Sequence, residues 1–230
     1  MIFNVTEACY ALGLRVGAVV FRGVEIGESP AELKQEIDEE IIRIKEHFHD
    51  IKQIRSLDEI TVLHNIFRAI GVNPKRMQPS NQRLLELACK RGVLPSINAL
   101  VDTYNLISIR TRASIGAHDL DRLSLPVSLT MTTGSESFVP LGTMDELPVP
   151  AGEFAYVDAA NRMICRLDVR QADFSKVTGA SRNILLIIEA NTGHENKNIR
   201  RTFDESISRI TKICGGDAEI VWFPDLNGND

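Results

Sequence analysis

The period of the hydrophobic pattern changes near Ala113, and that change constrains the fold more than any other feature of the chain. Before it, apolar residues recur every three or four positions, the mark of helices with one buried stripe. Ser29, Pro30 and Glu32 read as a helix start: an N-cap, a proline in the first turn and a capping-box partner. Leu33, Ile37, Ile41, Ile44 and Phe48 then supply the stripe. A second helix is predicted from Ser56, with Glu59 as box partner, Ile60, Leu63, Phe67 and Ile70 as stripe, and Gly71 as the stop. Pro74 and Pro79 make VNPKRMQPS a loop. Ser80 is read as the N-cap of NQRLLELACKR, which ends at Gly92, and Pro95 and Ser96 open a helix whose inner side carries Ile97, Leu100, Val101, Tyr104 and either Ile107 or Ser108.

After the change, residues 125–132, 137–141, 153–157, 163–169 and 183–190 read as strands between Gly, Pro, Asp and Asn turns. The valine-rich stretch 13–26 adds one or two strands at the start. A helix at 198–214 and a strand at 218–223 close the chain. Helices segregated from strands favour α+β, with helices packed around antiparallel or mixed sheets, over a doubly wound alternation. No linker or repeat divides the 230 residues, so one domain spanning 1–230 is expected, with residues 226–230 frayed.

Composition bounds the function. Hydrophobic residues make up 43% and charged residues 25%, the balance of a globular protein able to bury a core without metals or disulfides. No apolar run approaches the ~20 residues of a membrane span, and the N-terminus lacks a secretory pattern, so a cytoplasmic protein is expected. Cys9, Cys89, Cys165 and Cys214 form no C-x-x-C pair. The net charge of −5 argues against a generic nucleic-acid binder. Its distribution is uneven, however. Residues 25–50 hold nine acids and three bases, whereas 51–122 hold eleven bases and six acids. An acidic protein can still offer a basic face to phosphate. Walker, dinucleotide and nucleophile-elbow motifs are absent, and no cofactor is implied.

A few residues stand out as chemistry. His47 and His49 point to different sides of a helix and make a poor metal pair; His64 lies among core positions and reads as structural. No metal site is expected. His118 lies in GAHDLD, read as a loop beside Asp119 and Asp121, where it can bind a metal, position a water or serve a turn. Asp102, Asn105, Ser108 and Arg112 share one helical face, and Arg110 and Arg112 lie near its C-terminus as dipole partners or as an anion clamp. Glu189 ends the apolar run ILLII. It is either solvated at a strand end or drawn inward, where its pKa would rise or a donor would be needed.

The run GVNPKRMQPSNQRLLELACKRGVLPSINALVDTYNLISIRTRASIGAHDLDRL, followed in order by ESFVPLG, GEFAYVD and SRNILLIIEA, resembles the B3/B4 tRNA-binding and editing domain of the phenylalanyl-tRNA synthetase beta subunit, especially its free-standing relatives. The resemblance covers residues 67–190. It implies an α+β fold of unusual sheet topology and a partner that is a tRNA or aminoacyl-tRNA. In the synthetase the domain hydrolyses the ester joining tyrosine to the phenylalanine tRNA. A free-standing relative would edit in trans.

The carry-over is uneven. Asp102 matches the first aspartate of the synthetase motif, Asn105 its site-lining asparagine and Asp119 its later aspartate. Tyr104 stands where the family has threonine and Gly116 where it has the site histidine; His118 lies two residues beyond. Glu189 is similar to the glutamate that reads the tyrosine hydroxyl. The synthetase's Gly-rich turn is replaced by CRLDVRQADF. Two functions follow. One is a hydrolase of an aminoacyl ester, with Asn105, His118 and backbone amides of 113–118 holding water, and Asp119, Glu189, Arg110 and Arg112 binding substrate. The other is a non-catalytic module for RNA or an amino-acid-like ligand, with Lys75, Arg76, Arg83, Lys90 and Arg91 on phosphates.

Overall fold

The computed structural model describes residues 1–226; the remainder of the segment expected to fray, residues 227–230, lies outside them. Leu226 itself is tied down, its carbonyl accepting from Asn196 Nδ2 at 3.1 Å. The elements run β1 (Phe3–Val5), α1 (Glu7–Ala11), β2 (Leu14–Arg22), α2 (Ala31–His47), α3 (Ile51–Arg55), α4 (Asp58–Ala69), α5 (Ser80–Arg91), α6 (Ala99–Thr111), β3 (Ser114–Asp119), β4 (Val127–Met131), β5 (Phe154–Val157), β6 (Met163–Arg166), β7 (Arg170–Gln171), β8 (Asn183–Asn191), α7 (Asn196–Cys214) and β9 (Asp217–Trp222). The fold is α+β, as the segregated pattern implies. Among the described residues no helix is long and apolar enough to cross a membrane.

Two sheets form. One has the order β1-β4-β5-β6-β7, with β1 and β4 parallel; the other has the order β3-β8-β2-β9 and is antiparallel throughout. The four-stranded sheet is the centre of the molecule. On one of its faces Val19, Phe21, Ile184, Leu186 and Ile188 pack with Leu100, Tyr104 and Ile107 of α6 and Phe203 and Ile210 of α7. On the other, Val16, Ala18, Val20, Leu185 and Ile187 meet Leu129, Phe154, Tyr156 and Ile164 of the five-stranded sheet. Strand β8 is therefore covered on both faces, which is why ILLII is apolar without interruption. The alternation also fixes the site: Glu189 shares parity with Leu185 and Ile187 and faces the space between the sheets.

Several local expectations change. Ser29 does not cap α2, because its hydroxyl donates to Asp102 Oδ2 at 2.6 Å; Pro30 occupies the cap position, so the Ser29–Glu32 capping box does not form. The box falls elsewhere, between Asp50 and Gln53 at α3, and Ser56, read as an N-cap, instead ends that helix. Ser80 is the first residue of α5, and Asn98 rather than the Pro95–Ser96 pair starts α6, its side chain accepting from the Val101 amide at 2.9 Å. The stretch 137–141 gives only isolated bridges, Ser137 to Arg162 and Pro140 to Ala172, since Pro140 has no N–H for a ladder. Most important for the site, 114–119 is not a loop. It is strand β3, paired with β8 from Ser114↔Glu189 to Asp119↔Ile184.

Candidate functional site

Antiparallel partners share a face, so Ser114, Gly116 and His118 of β3 stand beside Glu189, Ile187 and Leu185 of β8 on the side away from α6's main core. Ile115 and Ala117 belong to that core, with Ile115 also touching the cavity. Helix α6 closes the space from above with Val101, Tyr104 and Asn105, helix α5 with Ser80 and Arg83, and the second sheet with Tyr156, Cys165 and Asp168. The result is a cavity of about 570 Å³. Its walls are largely apolar. Arg83 and Arg170, both exposed and in no ion pair among the described residues, stand at its rim.

Three of the sequence-derived candidates, Asn105, His118 and Glu189, line this one cavity although they come from α6, β3 and β8. The side-chain amide of Asn105 has no hydrogen-bond partner among the described residues. His118 is 3% exposed; its Nδ1 lies 3.0 Å from Ser175 Oγ and 3.4 Å from Gln171 Nε2, while Nε2 has no partner among the described residues. Burial without a carboxylate neighbour lowers its pKa to about 3, so the ring is neutral near pH 7.

Glu189 resolves to the inward alternative. It is 5% exposed and accepts a hydrogen bond from the Tyr156 hydroxyl through Oε2, while Oε1 is buried without a partner. Burial holds its pKa well above the ordinary carboxylate range, the charge of Asp168 adds to this, and the Tyr156 bond opposes it. Asp168 is half-buried. Its Oδ2 accepts from Ser114 Oγ at 2.6 Å and from the Ser80 amide at 3.0 Å, and its Oδ1 is unpartnered. Burial raises its pKa too, against the lowering effect of those donors.

Of the remaining candidates, all but Arg83 lie elsewhere. Asp119 is outside the cavity, accepting from Ser181 Oγ at 2.6 Å and from the Asp121 amide at 3.1 Å, with Arg122 at 3.7 Å. Arg110 clips α2, α6 and α7 together through Glu40 (2.9 Å), Glu36 (3.5 Å) and Glu205 (3.4 Å). Arg112 caps α6 with a left-handed φ of 64° and pairs with Glu59 at 3.2 Å. Of the helical face read from the sequence, Asp102 is a structural acceptor for Ser29, Ser96 and the Ile97 amide, and Ser108 donates to the Ala113 carbonyl. Among the phosphate candidates only Arg83 reaches the cavity. Lys75 and Arg76 are exposed ahead of α5, Lys90 lies 3.7 Å from Glu86, and Arg91 is exposed at the end of α5.

Sequence reasoning passed over Tyr156 and Asp168. A signal existed for each. A tyrosine within the buried strand FAYV needs a partner for its hydroxyl, and Glu189 needs a donor. Asp168 stands in CRLDVRQADF, the stretch singled out in the sequence as standing in place of a Gly-rich turn. Gly116 leaves the cavity open at its own position: a Cβ built on it would meet nothing within 4 Å.

Comparison with known proteins bears on the fold and the family. Among solved structures, the chain is similar to an N-terminal fragment of the phenylalanyl-tRNA synthetase beta-subunit from Pyrococcus horikoshii, at a TM-score of 0.52 and 12% identity. The match covers 98% of this chain and 55% of that one, so the chain spans about half the length of the fragment and shares its fold. No match is found among curated proteins. The B3/4 domain pattern matches residues 62–212, more than half of the sequence and every wall of the cavity from α5 to β8, and the chain belongs to the B3/4 domain family.

Proposed function

We propose that the cavity takes the aminoacyl end of a tRNA and that the chain hydrolyses the ester there, as an editing module acting in trans. The observation that carries this reading is the meeting of Asn105, His118 and Glu189, each with an unclaimed polar group, in one cavity of about 570 Å³. That volume suits an amino acid and the adjoining ribose.

In the proposed reaction a water held between the Asn105 amide and the neutral His118 ring adds to the ester carbonyl carbon. The carbonyl–ribose C–O bond breaks, and the ribose oxygen leaves with a proton. The amino acid departs as a carboxylate, and the second proton of the water passes to solvent. A ring with a pKa of about 3 orients water but is a weak base near neutrality. The neighbouring ribose hydroxyl therefore carries the proton transfer. Residues 113–118 contribute less than a free loop would, because β3 spends part of its backbone on the β8 ladder.

The test is deacylation of a panel of mischarged tRNAs. Asn105→Ala is expected to lower the rate about 100-fold, the loss typical of one positioning hydrogen-bond donor, with the unfolding transition unchanged. Full activity in that variant removes Asn105 from the mechanism. The low basicity of His118 and the open position at Gly116 favour a second reading, binding without cleavage. That reading predicts salt-sensitive tRNA binding with no deacylation by the unaltered chain.

A further inference from the structure

We propose that the inner end of the cavity is a cation subsite in which Asp168 and Glu189 together bind a primary ammonium group of the ligand. The proposal rests on the reading that an aminoacyl group enters here and names the feature by which it is selected.

Four observations converge. Asp168 and Glu189 come from the turn after β6 and from β8, yet both line the same cavity. Each uses one carboxylate oxygen for a protein donor and leaves the other, Asp168 Oδ1 and Glu189 Oε1, buried and unpartnered. A buried acceptor without a donor is destabilising, so two in one cavity mark a place where a ligand supplies the donors. No Lys, Arg or His among the described residues forms an ion pair with either carboxylate. Burial disfavours the charge of both, and the charge of Asp168 disfavours that of Glu189 as well. An ammonium group answers all of this: it carries a positive charge and three donors.

Alternatives fit less well. Among the described residues no group of three or more His, Cys, Asp and Glu side chains is arranged to hold a metal ion. A guanidinium is planar and needs a fork of acceptors, whereas Ser80 and Ser114 already occupy Asp168 Oδ2 and Tyr156 occupies Glu189 Oε2. The rim is of opposite sign, with Arg83 and Arg170. A ligand with a cationic inner end and an anionic outer end matches this polarity, as an aminoacyl group on a phosphodiester chain does. The ammonium can be the α-amino group or the end of a side chain.

Calorimetric titration with three small probes separates these sources. Leucinamide offers an α-ammonium, N-acetyl-lysinamide only a side-chain ammonium, and N-acetyl-leucinamide neither. At least one cationic probe is expected to bind, and N-acetyl-leucinamide at least about tenfold more weakly, the loss expected for one charged hydrogen-bonded contact. Whichever cationic probe binds identifies the source. Asp168→Asn and Glu189→Gln are each expected to weaken the bound probe by about tenfold or more. Equal binding of N-acetyl-leucinamide, binding of none of the three at millimolar concentration, or full affinity in both variants overturns the subsite. Because the probes contain no tRNA, the outcome is independent of deacylation. Cationic binding without tRNA cleavage keeps the subsite and removes the hydrolase, and tRNA cleavage with none of the three probes bound does the reverse.

Discussion

His118 shows how a single residue changes meaning between sequence and structure. Next to two aspartates in GAHDLD it reads as a loop group free to bind metal or water. In the fold it sits on β3, and neither aspartate shares its surroundings: Asp119 turns to Ser181 and Asp121 accepts from Asn183 at 3.0 Å. The side chains nearest its ring are uncharged. The consequence is a pH dependence with a definite sign. In the unfolded chain a histidine titrates near 6.5, whereas folded His118 does so at about 3. Between those values the unfolded chain binds the extra proton, so stability is lost as pH falls from about 6.5 towards 3, at up to about 1.4 kcal/mol per pH unit. His64 and His194, also lowered by burial, act in the same direction. Denaturant midpoints at pH 7 and pH 5 are expected to differ less in His118→Gln than in the unaltered chain. An unchanged difference would mean that His118 is not the buried neutral group described here.

At the scale of elements, legibility followed period and length. Helix α7 is readable from a long helical repeat, and strand β8 from an unbroken apolar run. Strand β3 is not, since SIGAHD has a glycine, a histidine and an aspartate and becomes a strand only through its pairing with β8. That pairing joins residues about 70 positions apart, which no local pattern encodes. The caps misled for a related reason: the Ser29 hydroxyl is worth more to buried Asp102 than to its own helix. Close packing of elements gives another check. Helix α7 lies so near β2 that a Cβ on Gly17 would come within 2.0 Å of Phe203 Cζ and 3.0 Å of the Trp222 carbonyl oxygen. Gly17→Ala is expected to lower unfolding stability by about 1–3 kcal/mol, seen as a lower urea midpoint at constant slope.

For the whole molecule, the net charge of −5 is a poor guide, because acids and bases are segregated. Much of the acid on α2 is spent internally, with Glu36 and Glu40 bound to Arg110, Arg209 and Arg43. Bases around the cavity rim are left for solvent or a phosphate. If tRNA is the partner, its affinity is expected to fall linearly on a log–log plot against salt, and Arg83→Ala to reduce that slope by about one. A slope unchanged by Arg83→Ala would place the nucleic acid on another face. The family and fold were legible from the ordered set of motifs, whereas the cavity's lining was legible only in part. Asn105 and Glu189 lie in well-patterned elements; Tyr156 and Asp168 enter through the second sheet, whose short strands carry weak signals.

Strand β8 is at once a wall of the cavity and the middle of the central core, with Ile188 on one side of its backbone and Glu189 on the other. Evolvability is divided accordingly. Variation along β8 disturbs nine paired positions with β2 and both cores, so it is filtered by foldability before any ligand is met. Gly116, with open space before it on an edge strand, and Asp168, on a turn and held among the described residues only by Ser114 and Ser80, carry a lighter burden. New ligand preferences in this family are accordingly expected to arise by substitutions around a retained Glu189 rather than at it.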